Sequence, residues 1–306
     1  MALTVVVGHP ETTAFALGVD AVLAIAAVAA VVGAGRLRRM GAHGAGSDTG
    51  PLRQGLSPWR TASFLAGLVL VYVAVGSGLG AYATRPSVVV AQHVLLMMAA
   101  PPLLVLGRPG AWSHAVVSVG HHRGGRNGAP VPDAVWSEPV AGPRRWPLGV
   151  WVLYYGSMAA FFLTPLFPRS LHDPSLRDVT EIWFTSVGLA FSGFVVGGAC
   201  APGRPPFWVR ILAILAGAPV ETAMGLALLL WPHPLAPGVS LATTHTAGLV
   251  LWTGGMLTSG LSLAYVLGLW VLDDSRRGRE LDQLFDAALA PVSLGDGPGS
   301  GRPGPG

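Results

Sequence analysis

The feature that most constrains this chain is a succession of seven apolar runs, at residues 14–35, 61–82, 87–107, 147–167, 179–200, 207–231 and 242–272. A helix needs about 20 apolar residues to cross the ~30 Å hydrocarbon core of a bilayer. Lipid offers no partner to a backbone N–H or C=O, so such a segment crosses as a helix. The expected fold class is all-α: a polytopic seven-transmembrane-helix bundle over residues 1–272, with a cytoplasmic Gly/Pro-rich tail over 273–306 in which Glu280–Leu289 forms a short amphipathic helix. Composition agrees, since 51% of the 306 residues are hydrophobic and only 11% charged.

The basic residues orient the bundle. All 19 are arginine, and alternating the loops from an outside N-terminus leaves only Arg85, Arg169 and Arg177 outside, as the positive-inside rule requires. Arg36, Arg38 and Arg39 follow the first apolar run instead of preceding it, so that run reads as a true span and not as a signal peptide. The N-terminus is thereby expected outside and the C-terminus in the cytoplasm. The arginines lie in loops and build no basic domain, which excludes nucleic acid as a partner. A single cysteine, Cys200, excludes an intramolecular disulfide and a CxxC redox pair. Any metal would be held by His, Met, Asp, Glu or backbone oxygen. No nucleophile–base pairing, phosphate loop or pair of catalytic carboxylates is found, so an enzyme is not expected, and no internal repeat suggests an inverted-repeat transporter.

The third run, SVVVAQHVLLMMAAPPLLVLG, is the one the others are organised around. His93 and Met97 stand i,i+4, on one helix face one turn apart, flanked by Gln92 and Met98. Imidazole and thioether together make a soft-metal face; the competing reading is that His93 bonds a neighbouring helix while the methionines fill gaps. Pro101-Pro102 is expected to kink the helix toward its far end, which is tolerable only inside a bundle.

Other ionisable groups gather on the outer side. Glu181 opens the fifth run, where either the helix dipole or a ligand role accounts for it. His245 lies within one turn of the outer end of the seventh, and His172, Asp178, His9 and His233 fall in outer segments. Glu221 sits deep in the sixth run beside Pro219, where a carboxylate must be protonated or paired. Gly76, Gly78 and Gly80 near the end of the second run are expected to let a neighbouring backbone approach. His43, His114 and the pair His121-His122 fall in inner loops and read as solvated, and the stretch AWSHAVVSVG as an interfacial segment.

The segment AQHVLLMMAAPPLLVLGRP resembles the signature of the CtaG family of cytochrome c oxidase assembly factors, whose central helix reads H-M-x-Q-H-x-L-L-M-x-x-A-P-P-L-L-x-L-G-x-P. The resemblance continues through FFLTPLFPRSLHDPSLRDVTEIWF and HTAGLVLWTGGMLTSGLSLAYVLGLWVLDDSRR, and so covers about Pro58–Arg277. It implies a non-enzymatic, multi-pass protein of a bacterial plasma membrane that helps mature the copper centre of a haem–copper oxidase. Its implied partners are the oxidase subunits, other copper chaperones and the lipid bilayer, and its implied cargo is copper held transiently. On this sequence the candidate ligands are His93, Met97, Glu181 and His245, with Gln92, Met98, His172, Asp178 and Glu221 as further candidates. Val89 stands where the family has the first histidine of its motif, and Ile182 follows Glu181 where the family often has histidine. Two alternatives remain beside this reading: a membrane cytochrome with His93 and His245 as axial haem ligands, and a small-solute or proton pathway centred on Glu221.

Overall fold

The computed structural model describes residues 18, 20–28, 30–32, 58–76, 79–82, 84–107, 146–197 and 205–289. His9, His43, Gly78, His114, His121, His122, Cys200, the expected interfacial segment and the tail beyond residue 289 lie outside the described residues. Among the described residues eight α-helical segments follow in order: α1 (Asp20–Val32), α2 (Pro58–Val75), α3 (Pro86–Gly107), α4 (Trp146–Phe162), α5 (Leu166–Ser170), α6 (Pro174–Val195), α7 (Phe207–Leu229) and α8 (Leu241–Leu289). A 3₁₀ turn, Leu79–Tyr82, lies between α2 and α3. There is no strand among the described residues, so the all-α expectation holds. Among the described residues four helices, α2, α3, α7 and α8, are long and apolar enough to cross a membrane.

The distribution of side chains is that of a protein dissolved in lipid. Val179, Ile182, Trp183, Leu212, Leu215, Leu257 and Leu261 are exposed, while Gln92, His93, Glu181, Ser192, Arg210 and Glu221 are buried. In water this arrangement would be unfavourable on both counts. In a bilayer it is the low-energy one, because ionisable groups face the bundle interior. α3 is the most enclosed of the four long apolar helices: 56% of its apolar window is buried, against 28% for α2, 33% for α7 and 11% for α8.

The proline pair acts differently from expectation. α3 continues to Gly107, and the disturbance falls before the prolines, where Val94–Ala99 winds as a π-helix and the Ala100 N–H donates to the Leu95 carbonyl five residues back. A proline ring clashes with the carbonyl four residues earlier and offers no N–H; one wider turn absorbs both effects without breaking the rod. Opposite this turn lies Gly188 of α6. A Cβ there would sit 2.5 Å from the Met97 carbonyl oxygen, so the glycine sets how closely α6 packs on α3.

Several boundaries move for local reasons. α6 begins at Pro174, not at 179, because the Asp173 carboxylate caps it, accepting from the Leu176 N–H at 3.2 Å, with proline at the first helical position. Its far end is held by Arg210, whose Nε donates to the Val195 carbonyl at 2.6 Å. The fourth run divides at Pro165 into α4 and α5. α2 stops at Val75, short of the expected 82; a Cβ on Gly76, just past its end, would sit 2.5 Å from Asp20 Oδ1 of α1, so this glycine does permit a close approach. The chain separates into two compact units, Met1–Val266 and Leu267–Gly306. In the second, the amphipathic piece expected at Glu280–Leu289 is the last part of α8, which no proline interrupts; Asp273 and Arg277 pair at 2.7 Å, i to i+4, on its exposed surface.

Candidate functional site

His93 closes the first α-helical stretch of α3 and points into the bundle, only 3% exposed. Its ring is enclosed by aromatic side chains. Phe184 of α6 meets it edge-on at 4.3 Å between centroids, Phe162 of α4 edge-on at 4.8 Å, and Phe161 lies parallel at 6.4 Å. Neither ring nitrogen has a hydrogen-bond partner among the described residues. That is costly, since a buried donor or acceptor left without a partner forfeits about 1–3 kcal/mol, and such a group in a native fold calls for a ligand or a strain role.

The same imidazole borders a narrow cleft between α3, α4 and α6, whose other polar walls are Gln92, Arg177, Thr180 and Glu181. Arg177, Glu181, Phe184 and Gly188 recur at three- and four-residue intervals, so one face of α6 supplies the carboxylate, the aromatic wall and the close packing together. The extra residues of helix before 179 put Arg177 and Asp178 on that helix instead of in a loop. Glu181 is 9% exposed. Gln92 Nε2 donates to the Ala74 carbonyl of α2 at 2.7 Å, and Gln92 Oε1 is buried without a partner among the described residues.

Of the other predicted residues, Met97 is fully buried and packs by its backbone on Gly188, outside the walls of this cleft. Met98 lines a second cleft with Ser192 and Ser259. The His245 ring meets the Trp231 carbonyl through Nε2 at 3.1 Å and does not border the His93 cleft. His172 and His233 are exposed, and Asp178 is half-buried. The bis-histidine and solute-pathway alternatives gain nothing from these positions. Among the described residues no three His, Cys, Asp or Glu side chains cluster as a metal site.

Glu221 has a different setting. It is 1% exposed, accepts from Ser259 Oγ of α8 at 2.8 and 3.1 Å, and from the Tyr155 hydroxyl of α4 at 3.4 Å. Ala213, Gly217 and Glu221 stand four residues apart on the α7 face toward α4: Trp151 Nε1 donates to the Ala213 carbonyl at 3.0 Å, and a Cβ on Gly217 would collide with the Tyr155 hydroxyl. Sequence reasoning found the carboxylate but not its partners, because hydroxyls on two other helices carry no mark of their convergence.

It also passed over Asp20 and Arg210, ionisable residues inside apolar runs, although that position is itself the signal. Asp20 Oδ1 and Arg210 Nη2 are both buried without partners among the described residues. The phenylalanines round His93 gave no sequence signal beyond hydrophobicity.

Comparison with known proteins adds the following. The family described as cytochrome c oxidase caa3 assembly factor matches residues 28–272. The chain is 25% identical over 262 residues to an uncharacterized protein of Mycobacterium leprae, covering 77% of this chain and 38% of the relative. It is 26% identical over 252 residues to an uncharacterized protein of Mycobacterium bovis and to one of Mycobacterium tuberculosis, covering 77% of this chain and 37% of each relative. The chain therefore spans under two fifths of the length of the curated relatives it matches. No solved structure matches.

Proposed function

The chain belongs to the cytochrome c oxidase caa3 assembly factor family, and from that premise we propose that it assists maturation of the copper centre of a haem–copper oxidase, receiving copper as cargo at the His93 cleft. The observation that carries this reading is the buried imidazole with neither ring nitrogen bonded to protein, bordering the same cleft as Glu181. A histidine serving only to tie helices together would spend at least one nitrogen on a neighbour. The donors present fit copper: imidazole nitrogen, carboxylate oxygen and amide oxygen are all groups that bind its divalent ion. His93 binds the ion and Glu181 supplies charge to offset it. The phenylalanines exclude water and fix the ring.

In this reading α1, α4 and α6 cross the bilayer beside the four long apolar helices, giving seven spans, and the arginine-rich loops face the cytoplasm. The outward leucines, valines and tryptophans of α6 and α7 support that arrangement. The cleft then lies in the outer half of the membrane, where oxidase subunits and other copper chaperones have access to it. The test is to delete the gene and complement with wild type or His93→Ala, then measure copper content and turnover of the purified oxidase. The expected result is a copper-deficient oxidase in the deletion and in the variant; full copper content in both would overturn the proposal.

A further inference from the structure

We infer that the His93 cleft is built for a divalent ion, with Gln92 Oε1 as a pre-aimed oxygen ligand beside a His93 nitrogen and the Glu181 carboxylate, and with no thioether in the set. The inference rests on the reading above and specifies what that site takes. The first step is the orientation of the amide. Only its nitrogen is able to donate to the Ala74 carbonyl, so the 2.7 Å bond fixes which end of Gln92 faces α2. The oxygen is left buried and without a protein donor among the described residues. Thr180, in the same wall, does not supply one, since its hydroxyl donates to the Arg177 carbonyl at 2.8 Å. Two consecutive residues of α3 thus bring an amide oxygen and an imidazole to a cleft whose far wall carries a carboxylate.

The second step is the absence of sulfur. The i,i+4 spacing of His93 and Met97 suggested a thioether partner, but Met97 is not among the residues lining this cleft; it is fully buried with its backbone on the Gly188 contact. Met98 belongs to another cleft. One nitrogen and oxygens favour divalent copper or zinc over monovalent copper, which prefers thiolate and thioether. Arg177, a fixed positive charge in the same wall, opposes any cation that enters.

The experiment uses the full chain in detergent, titrated with Cu(II), with Zn(II), and with Cu(I) under reductant. One Cu(II) is expected to bind, with an electron paramagnetic resonance spectrum split by a single nitrogen, and Cu(II) is expected to displace Zn(II) from the same site. Gln92→Leu should weaken Cu(II) binding on the order of tenfold or more, Met97→Leu should leave it unchanged, and Arg177→Gln should tighten it. Tighter binding of Cu(I) than Cu(II), weakening by Met97→Leu, or weakening by Arg177→Gln would overturn the inference. Should Gln92→Leu fail to fold, the wild-type spectrum decides: nitrogen with oxygen supports the set, and sulfur ligation refutes it. The two readings fail separately. An oxidase left copper-deficient by His93→Ala, together with Met97-dependent Cu(I) binding, removes this inference alone, whereas a normal oxidase with Gln92-dependent Cu(II) binding removes the assembly role alone.

Discussion

Two polar regions are buried in this bundle, and they differ in how far their atoms are satisfied. Around Glu221, hydroxyls from α4 and α8 supply donors to the carboxylate, and three helices are joined by one network. Around His93, two ring nitrogens and the neighbouring amide oxygen are enclosed without partners among the described residues. By depth alone Glu221 is the stronger site candidate, since an intramembrane carboxylate is the costlier group. By satisfaction the order reverses. A completed network holds a fold together; an incomplete one inside a well-packed wall of phenylalanines is what the proposed copper site rests on.

The contrast is broken or sharpened by substitution. The largest effect is expected from His93→Leu, which should abolish delivery of copper to the oxidase while leaving the thermal midpoint of the purified protein unchanged or higher, because it removes two polar atoms that have no partner among the described residues. A fall in the midpoint with normal copper delivery would make His93 structural. Glu221→Ala should do the reverse, lowering unfolding stability by about 2–4 kcal/mol through the stranded Tyr155 and Ser259 hydroxyls and the lost packing, with Cu(II) affinity unaltered in a titration. Gly188→Ala pushes a methyl against the Met97 carbonyl and should cost about 1–3 kcal/mol. Because it moves α6 relative to α3, it should also weaken metal binding, so it links the two readouts. Tyr155→Phe is expected to cost least, about 0.5–1.5 kcal/mol in a melt, with no change in metal affinity.

Much of this architecture was legible in the chain. Apolar runs of spanning length announce the helices, because that signal is local and additive. Asp173 before Pro174 was equally readable as a helix start, yet the charged surroundings suggested a loop, and the cap outweighed them. The consequence of Pro101-Pro102 was misplaced by a turn, since a proline disturbs the carbonyls that precede it. The site itself was half visible. His93, Gln92 and Glu181 stood out as ionisable or polar groups in apolar runs, and they do border one cleft. Which of their atoms lack partners depends on Ala74, Phe162 and Phe184 from three other helices, and no spacing rule reports that. Met97 shows the limit most directly, because sharing a helix face with His93 did not bring it to the walls of the same cleft.

The π-helical turn Val94–Ala99 carries a consequence for the history of the site. An additional residue in a helix is a phase offset: it rotates everything on one side by about 100° against everything on the other. Losing a single residue between Val94 and Ala99 would leave the hydropathy of the span intact and the proline pair in place. It would also swing the imidazole by more than a quarter turn, out of the cleft and away from Glu181. Membrane insertion would not register the loss, and only the chemistry would.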